Sequence, residues 1–128
     1  MINIQMIGID HSRASVEERE LFSFTKTKQK ELMEAVVRQQ SVDGCVLLST
    51  CNRMELYVSL DAKAEPDLYR IICHCKQISG EEEKRLRELF TVRTEEDAVR
   101  HLFLLTAGLK SKIIGEDQIY YGDELMEI

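Results

Sequence analysis

Apolar and β-branched residues dominate the first stretch of the chain, residues 2–10, which predicts a strand. A continuous apolar run at 45–50 is typical of a buried central strand. Residues 55–60 alternate between apolar and polar positions, which predicts a neighbouring strand across a short turn. A further short strand is expected at 91–93. These strands are the elements from which a sheet can form.

Helical spacing of apolar residues separates these strands. Ser15 followed by Glu18 is a capping-box pattern at the start of a short helix. The other helices are predicted at 26–41, at 66–75 after Pro66, at 80–90, and at 94–109 with Thr94 as its cap. The tail is expected to form a loop and then open another helix. Strands and helices mixed in this order predict one α+β two-layer domain over residues 1–128.

The composition is that of a soluble globular protein. The chain has 128 residues, of which 44% are hydrophobic and 31% are charged. Its first residues lack the pattern of a secretory signal, and no apolar run reaches the ~18 to 20 residues of a membrane span. A cytoplasmic protein is therefore expected. The net charge of −6 argues against a surface built mainly to bind nucleic-acid phosphates.

The four cysteines, Cys45, Cys51, Cys73 and Cys75, do not form a recognisable disulfide or metal pattern. Disulfides are not expected in a chain without a secretory signal. The Cys-His-Cys run at 73–75 has no second pair of ligands at zinc spacing, so no metal is expected. Cys45 and Cys73 are interpreted as small buried hydrophobic residues.

The run Leu-Leu-Ser-Thr-Cys-Asn-Arg-Met-Glu-Leu-Tyr at 47–57 carries the candidate chemistry. A buried strand delivers Cys51 and Arg53 at its end, where polar groups meet solvent. The positive charge of Arg53 favours the nucleophilic thiolate form of Cys51, and its guanidinium can bind a carboxylate through two hydrogen bonds. A structural role for such a pair is the common alternative.

This run resembles the signature of glutamyl-tRNA reductase, in which the cysteine of a Ser-Thr-Cys-Asn-Arg run is the nucleophile. Two other segments resemble the same family in the right order. Residues 8–20 resemble its Gly-x-(Asn/Asp)-His opening with a later Val-x-x-Arg-Glu, and residues 101–119 resemble its His-Leu-Phe segment with a later Gly-Glu-Pro-Gln-Ile. The resemblance spans residues 8 to 119.

The resemblance implies a ferredoxin-like two-layer sandwich, with an antiparallel sheet and helices on one face. It implies that Cys51 attacks the ester of glutamyl-tRNA and holds a glutamyl thioester, and that His101 acts as a base or an acid. Arg53 would contact the glutamate carboxylate. The implied substrate-binding residues are Thr50, Asn52, Arg53, Ser111, Glu116, Asp117 and Gln118. His11 either supports the site or is simply a strand-end residue.

The family reduces glutamate on its tRNA to glutamate-1-semialdehyde, the first step of tetrapyrrole synthesis, with NADPH as hydride donor. No Gly-x-Gly-x-x-Gly run is present, so no cofactor-binding residues are expected in this chain. The family's NADPH-binding and dimerisation domains, and with them a homodimer, are expected outside it. Asp117 stands where the family has proline, Met54 and Ser15 also depart from the pattern, and Gly122 replaces a substrate-contacting glutamine. The alternative is a truncated, non-catalytic relative that binds charged tRNA or a tetrapyrrole.

Overall fold

The computed structural model describes residues 3–50, 52–61, 66–106, 118–121 and 124–127. Four strands and five helices make up most of this chain, and two short strands follow. The strands are β1 (Asn3–Asp10), β2 (Val42–Ser49), β3 (Arg53–Leu60), β4 (Thr91–Thr94), β5 (Gln118–Tyr121) and β6 (Glu124–Glu127). The helices are α1 (Val16–Leu21), α2 (Lys26–Val37), α3 (Leu68–Cys75), α4 (Gly80–Leu86) and α5 (Glu95–Thr106), and a 3₁₀ turn covers Arg87–Leu89.

The strands form one sheet in the order β4-β1-β3-β2-β5-β6, and every neighbouring pair is antiparallel. The first four strands in this order, with the helices between them, have the split βαβ arrangement of ferredoxin-like folds. The prediction of an α+β, ferredoxin-like domain with an antiparallel sheet is confirmed.

The two faces of the sheet carry different cores, because side chains alternate along each strand. One face packs against α1 to α4 in a large apolar cluster that includes Ile7, Leu56 and Phe22. The other face has a smaller cluster, in which Met6 and Tyr57 contact Ala98 of α5. The expectation that all helices lie on one face is therefore wrong in this detail. Helix α5 packs on the second face, where Met6 of β1, Leu48 of β2 and Tyr57 of β3 are buried.

The tail was expected to open another helix, and the structure shows β5 and β6 instead. Residues 118–121 read Gln-Ile-Tyr-Tyr, and β-branched and aromatic residues favour a strand over a helix. The edge of β2 also offers unpaired backbone groups, which β5 satisfies through the register Gly44 to Tyr121 and Leu47 to Gln118.

The other boundaries shift by a few residues. Helix α2 ends at Val37 rather than near residue 41, and β2 begins at Val42. Thr94, predicted as a helix cap, is the last residue of β4. The capping box at Ser15 is confirmed, since its hydroxyl accepts from the Glu18 backbone and the Glu18 carboxylate accepts from the Ser15 backbone. None of the helices that the structure describes is long and apolar enough to cross a membrane.

Candidate active site

A tight turn joins β2 to β3 and carries the motif residues. The backbone N–H of Thr50 donates to the carbonyl oxygen of Arg53 at 2.8 Å, which closes the turn. The backbone N–H of Asn52 donates to the Thr50 hydroxyl at 3.2 Å. Cys51, the predicted nucleophile, lies between these two residues in sequence and falls outside the described residues.

Arg53 turns inward from this tight turn. Its side chain is 4% exposed, and its Nη1 lies 3.1 Å from Oε2 of Glu55, two residues further along β3. Residues two apart on a strand share a face, so both side chains point to the face that α5 covers. Asp10, at the end of β1, lies 3.6 Å from the same Nη1 atom.

Glu55 is the centre of the cluster. It is 2% exposed, and its two oxygens contact three side chains. Oε2 accepts a hydrogen bond from Arg53 Nη1 and also lies 2.6 Å from Nε2 of His101. Oε1 accepts a hydrogen bond from the Tyr57 hydroxyl at 3.0 Å. A buried carboxylate is costly unless it is paired and hydrogen-bonded, and here it is both.

His101 reaches this cluster from α5 and is 4% exposed. It is 46 positions from Glu55 in sequence, so its contact with that carboxylate is set by tertiary packing. Helix α5 lies on the sheet mainly against β1 and β4, and Ala98, one turn before His101, is fully buried there. The packing of α5 therefore brings His101 to the same Glu55 carboxylate that Arg53 contacts.

Gly8 makes room for the buried carboxylate. It is opposite Glu55 in the pairing of β1 with β3. A Cβ atom at Gly8 would lie 2.8 Å from Cγ of Glu55 and 2.9 Å from the Met54 carbonyl oxygen. Both distances are too short for real contacts. A glycine at this position lets Glu55 approach the β1 backbone.

The charges at this end of the sheet affect Asp10. Partial burial raises its pKa, but hydrogen bonds from Ser12 and the charge of Arg53 lower it, and the net result is a pKa below the usual range. The buried Nε of Arg53 has no hydrogen-bond partner among the residues that the structure describes. An unpaired buried donor is unfavourable unless a ligand or water satisfies it.

A cavity of about 330 Å³ opens beside the turn. Thr50 and Arg53 line it from the strand ends, and Arg19 and Glu20 line it from α1. Its wall combines apolar side chains, including Ile9, with these polar groups. Such a mixture is typical of sites for small polar molecules.

The predicted residues fall into two groups. Thr50, Asn52, Arg53 and His101 are described, and the structure brings Arg53 and His101 together through Glu55. Cys51, Ser111, Glu116 and Asp117 lie outside the described residues, as does the side chain of Gln118 on β5. His11 is exposed just beyond β1.

The remaining cysteines are held in their thiol form. Burial raises the pKa of Cys45 to about 12 and also raises the pKa of Cys73 and of Cys75. No group of histidine, cysteine and acidic side chains suited to a metal ion is found in the part of the chain that the structure describes.

Sequence reasoning missed Glu55, Tyr57 and Gly8. Glu55 read as an ordinary polar position in the alternating run at 55–60. The available signal was its spacing: Arg53, Glu55 and Tyr57 alternate on one strand face and form a polar stripe in a strand whose other face is apolar.

The family profile described as "Glutamyl-tRNAGlu reductase, N-terminal domain" matches residues 7–121, which is most of the chain. The chain belongs to the glutamyl-tRNA reductase family. It is 37% identical over 118 residues to the glutamyl-tRNA reductase of Acetivibrio thermocellus, covering 92% of this chain and 35% of that protein. With the enzyme of Alkaliphilus oremlandii it shares 34% identity over 118 residues, 92% of this chain and 34% of the relative.

A solved glutamyl-tRNA reductase, from Methanopyrus kandleri, resembles the described fold. The TM-score is 0.58 at 30% identity, covering 84% of this chain and 23% of that one. The match agrees with the ferredoxin-like domain described above. The chain spans about a third or less of the length of these glutamyl-tRNA reductases.

Proposed function

We propose that this chain is the catalytic domain of a glutamyl-tRNA reductase and that Cys51 forms a glutamyl thioester during the reaction. The observation that carries the proposal is the meeting of Arg53 and His101 on the two sides of Glu55 Oε2. Arg53 is two residues from Cys51, and His101 comes from a distant helix. Acyl transfer needs a nucleophile, a group that binds the substrate and a group that moves protons, and the motif supplies Cys51, Arg53 and His101 for these roles.

The first step transfers the glutamyl group. The Cys51 thiolate attacks the ester carbonyl carbon of glutamyl-tRNA, and a carbon–sulfur bond forms. The bond from that carbon to the ribose oxygen then breaks, and the oxygen leaves with a proton. His101 takes the thiol proton and returns it to the ribose oxygen. The products are a glutamyl thioester and free tRNA.

Arg53 is the proposed partner of the substrate's side-chain carboxylate. Its Nη1 is held by Glu55, and the residue lines the cavity next to Thr50. A guanidinium carries five N–H donors, so it can bind a glutamate carboxylate in addition to Glu55. Thr50 and Asn52 are proposed to contact the substrate from the same turn. Roles for Ser111, Glu116, Asp117 and Gln118 follow from the family motif alone.

The second step of the family reaction, reduction of the thioester to glutamate-1-semialdehyde, is attributed to NADPH bound by another domain. The described residues do not fit a dinucleotide, because every neighbouring strand pair is antiparallel and no parallel βαβ unit with a glycine-rich turn is formed. No step above uses NADPH. We also propose that the protein forms a homodimer through regions outside this chain and that it is located in the cytoplasm.

Without a hydride donor, the thioester can react only with water. We therefore expect the 128-residue chain to hydrolyse glutamyl-tRNA slowly to glutamate and tRNA, and to form no semialdehyde when NADPH is added. The assay follows release of labelled glutamate at low salt, because an acidic chain of net charge −6 should bind tRNA weakly. The Cys51→Ser variant should lose this activity, and Cys45→Ser should retain it. Equal rates of hydrolysis by the wild type and by Cys51→Ser would refute the assignment of Cys51 as the nucleophile.

A further inference from the structure

We infer that Glu55 is a positioning residue that fixes the proton of His101 on Nε2, so that Nδ1 is the nitrogen that exchanges protons with the substrate and the thiol. The placement of the proton follows from the fold alone. Its role in acyl transfer rests on the proposed function.

The hydrogen-bond inventory around Glu55 determines the proton's place. Arg53 can only donate, and its Nη1 contacts Oε2 at 3.1 Å. The Tyr57 hydroxyl donates to Oε1 at 3.0 Å. His101 Nε2 lies 2.6 Å from Oε2, and a carboxylate oxygen can only accept. Nε2 must therefore carry a hydrogen, and in the neutral ring the lone pair is on Nδ1.

The position of Glu55 is fixed from several directions. The residue is 2% exposed, so water cannot replace its protein partners. Arg53 Nη1 holds the Oε2 atom at 3.1 Å. Gly8 brings the β1 backbone against Cγ of Glu55, which limits how far the side chain can move away from β1. A carboxylate held this firmly can orient an imidazole ring, as in other carboxylate–histidine pairs.

The arrangement also suits the charge that develops in the reaction. When Nδ1 takes a proton, His101 becomes an imidazolium whose Nε2–H still donates to the Glu55 carboxylate. The ring therefore keeps its 2.6 Å contact with the buried Glu55 carboxylate in both states. Asp10, Arg53 and Tyr57 are the other titratable groups of the cluster, with Arg93 and Asp97 forming an ion pair near Tyr57.

Nitrogen NMR of the histidine rings tests the proton's place without any substrate. In the ¹⁵N-labelled 128-residue chain, the neutral His101 ring should be the tautomer with its hydrogen on Nε2, which the nitrogen shifts and N–H couplings identify. Peaks are assigned with a His101→Gln variant. A neutral ring with its hydrogen on Nδ1 would overturn the inference. The tautomer is read from the spectrum of the wild-type chain, and the variant serves only to assign its peaks.

The role in catalysis is tested with Glu55→Gln. An amide can donate as well as accept, so the preference for the Nε2–H form should weaken in the NMR spectrum. Formation of the Cys51 thioester should slow by about 10²- to 10⁴-fold, the range seen when a histidine loses its orienting or acid–base function. Glu88→Gln removes the same charge from an exposed position and should leave the rate unchanged.

The two failures can be told apart. If the wild-type chain forms no thioester, the proposed function fails, and the NMR result still decides where the proton lies. If the wild type forms the thioester and folded Glu55→Gln forms it equally fast, the positioning role is refuted. A Glu55→Asp variant keeps the charge but is one methylene shorter. It should recover the Nε2–H preference in part and form the thioester faster than Glu55→Gln.

Discussion

The close approach of β1 to β3 makes Gly8→Ala the sharpest test of the packing around the site. The new methyl carbon would lie 2.8 Å from Glu55 Cγ and 2.9 Å from the Met54 carbonyl oxygen. The carbonyl belongs to the paired backbone of β3 and cannot rotate away, and Glu55 is held by its three partners. Relief therefore requires the strands to separate or the carboxylate to move.

Overpacking of this kind costs about 1–3 kcal/mol. The lower entropy of the unfolded alanine variant offsets about 0.4–1 kcal/mol. A net loss of about 1–2 kcal/mol follows, which corresponds to a fall in melting temperature of roughly 3–10 °C for a domain of this size. Thermal and urea unfolding followed by circular dichroism measure the change, and the His101 ring signals should shift as the carboxylate moves.

Gly80→Ala is the matched control. Gly80 has a φ of +65°, and nothing lies within 4 Å of its added Cβ. Its substitution should cost about 1 kcal/mol through the backbone conformation. The His101 signals should not change, because Gly80 opens α4 on the opposite side of the sheet. A Gly8→Ala protein that is as stable as the wild type, with unchanged His101 signals, would refute the packing argument.

Four further predictions concern single side chains. The fold lowers the pKa of Asp10, so its ionised carboxylate stabilises the protein above about pH 4, and this contribution is lost as the pH falls through the folded pKa. In urea unfolding at a series of acid pH values, the free energy of unfolding should therefore fall less for Asp10→Asn than for the wild type. Ser15→Ala should lower the free energy of unfolding by about 1 kcal/mol, because it removes the hydroxyl that caps α1. Urea unfolding identical to that of the wild type would contradict a stabilising role for this cap. Limiting iodoacetamide at neutral pH should label Cys51 before Cys45, whose pKa of about 12 keeps it protonated, as peptide mass mapping can show. Arg53→Lys should weaken use of glutamyl-tRNA by about 1.5–3 kcal/mol in kcat/KM, because an ammonium cannot reproduce the guanidinium contacts.

Much of the fold follows from local patterns along the chain. The capping box at Ser15 and the alternating runs of β1 to β3 are short-range signals, and they place these elements within a few residues of their observed bounds. The strands β5 and β6 were missed because their formation depends on the free edge of β2. Residues 118–121 and 124–127 are too short for a periodic pattern to favour a strand by itself.

The placement of α5 on the second face was missed for a related reason. An apolar stripe on a helix predicts that the helix is buried but not against which face of a sheet. The second face was recognisable only once Met6 and Tyr57 were seen to be buried together.

The site shows the same division between local and tertiary signals. Cys51 and Arg53 lie two residues apart in a recognisable run, and the family motif also identified His101. The contact between His101 and Glu55 could not be predicted, because it joins residues 46 positions apart through the packing of α5. The role of Gly8 could not be predicted either, because it depends on the strand register that places Gly8 opposite Glu55.

Trapping the acyl-enzyme is the most direct test of the central claim, that Cys51 carries the glutamyl group. The 128-residue chain is mixed with glutamyl-tRNA at low salt, quenched in acid and analysed by mass spectrometry of its peptides. The account predicts a glutamyl adduct on the peptide that contains Cys51, sensitive to hydroxylamine and absent from Cys51→Ser. An adduct on another cysteine, or none on wild-type chain that demonstrably releases glutamate from the tRNA, would contradict it.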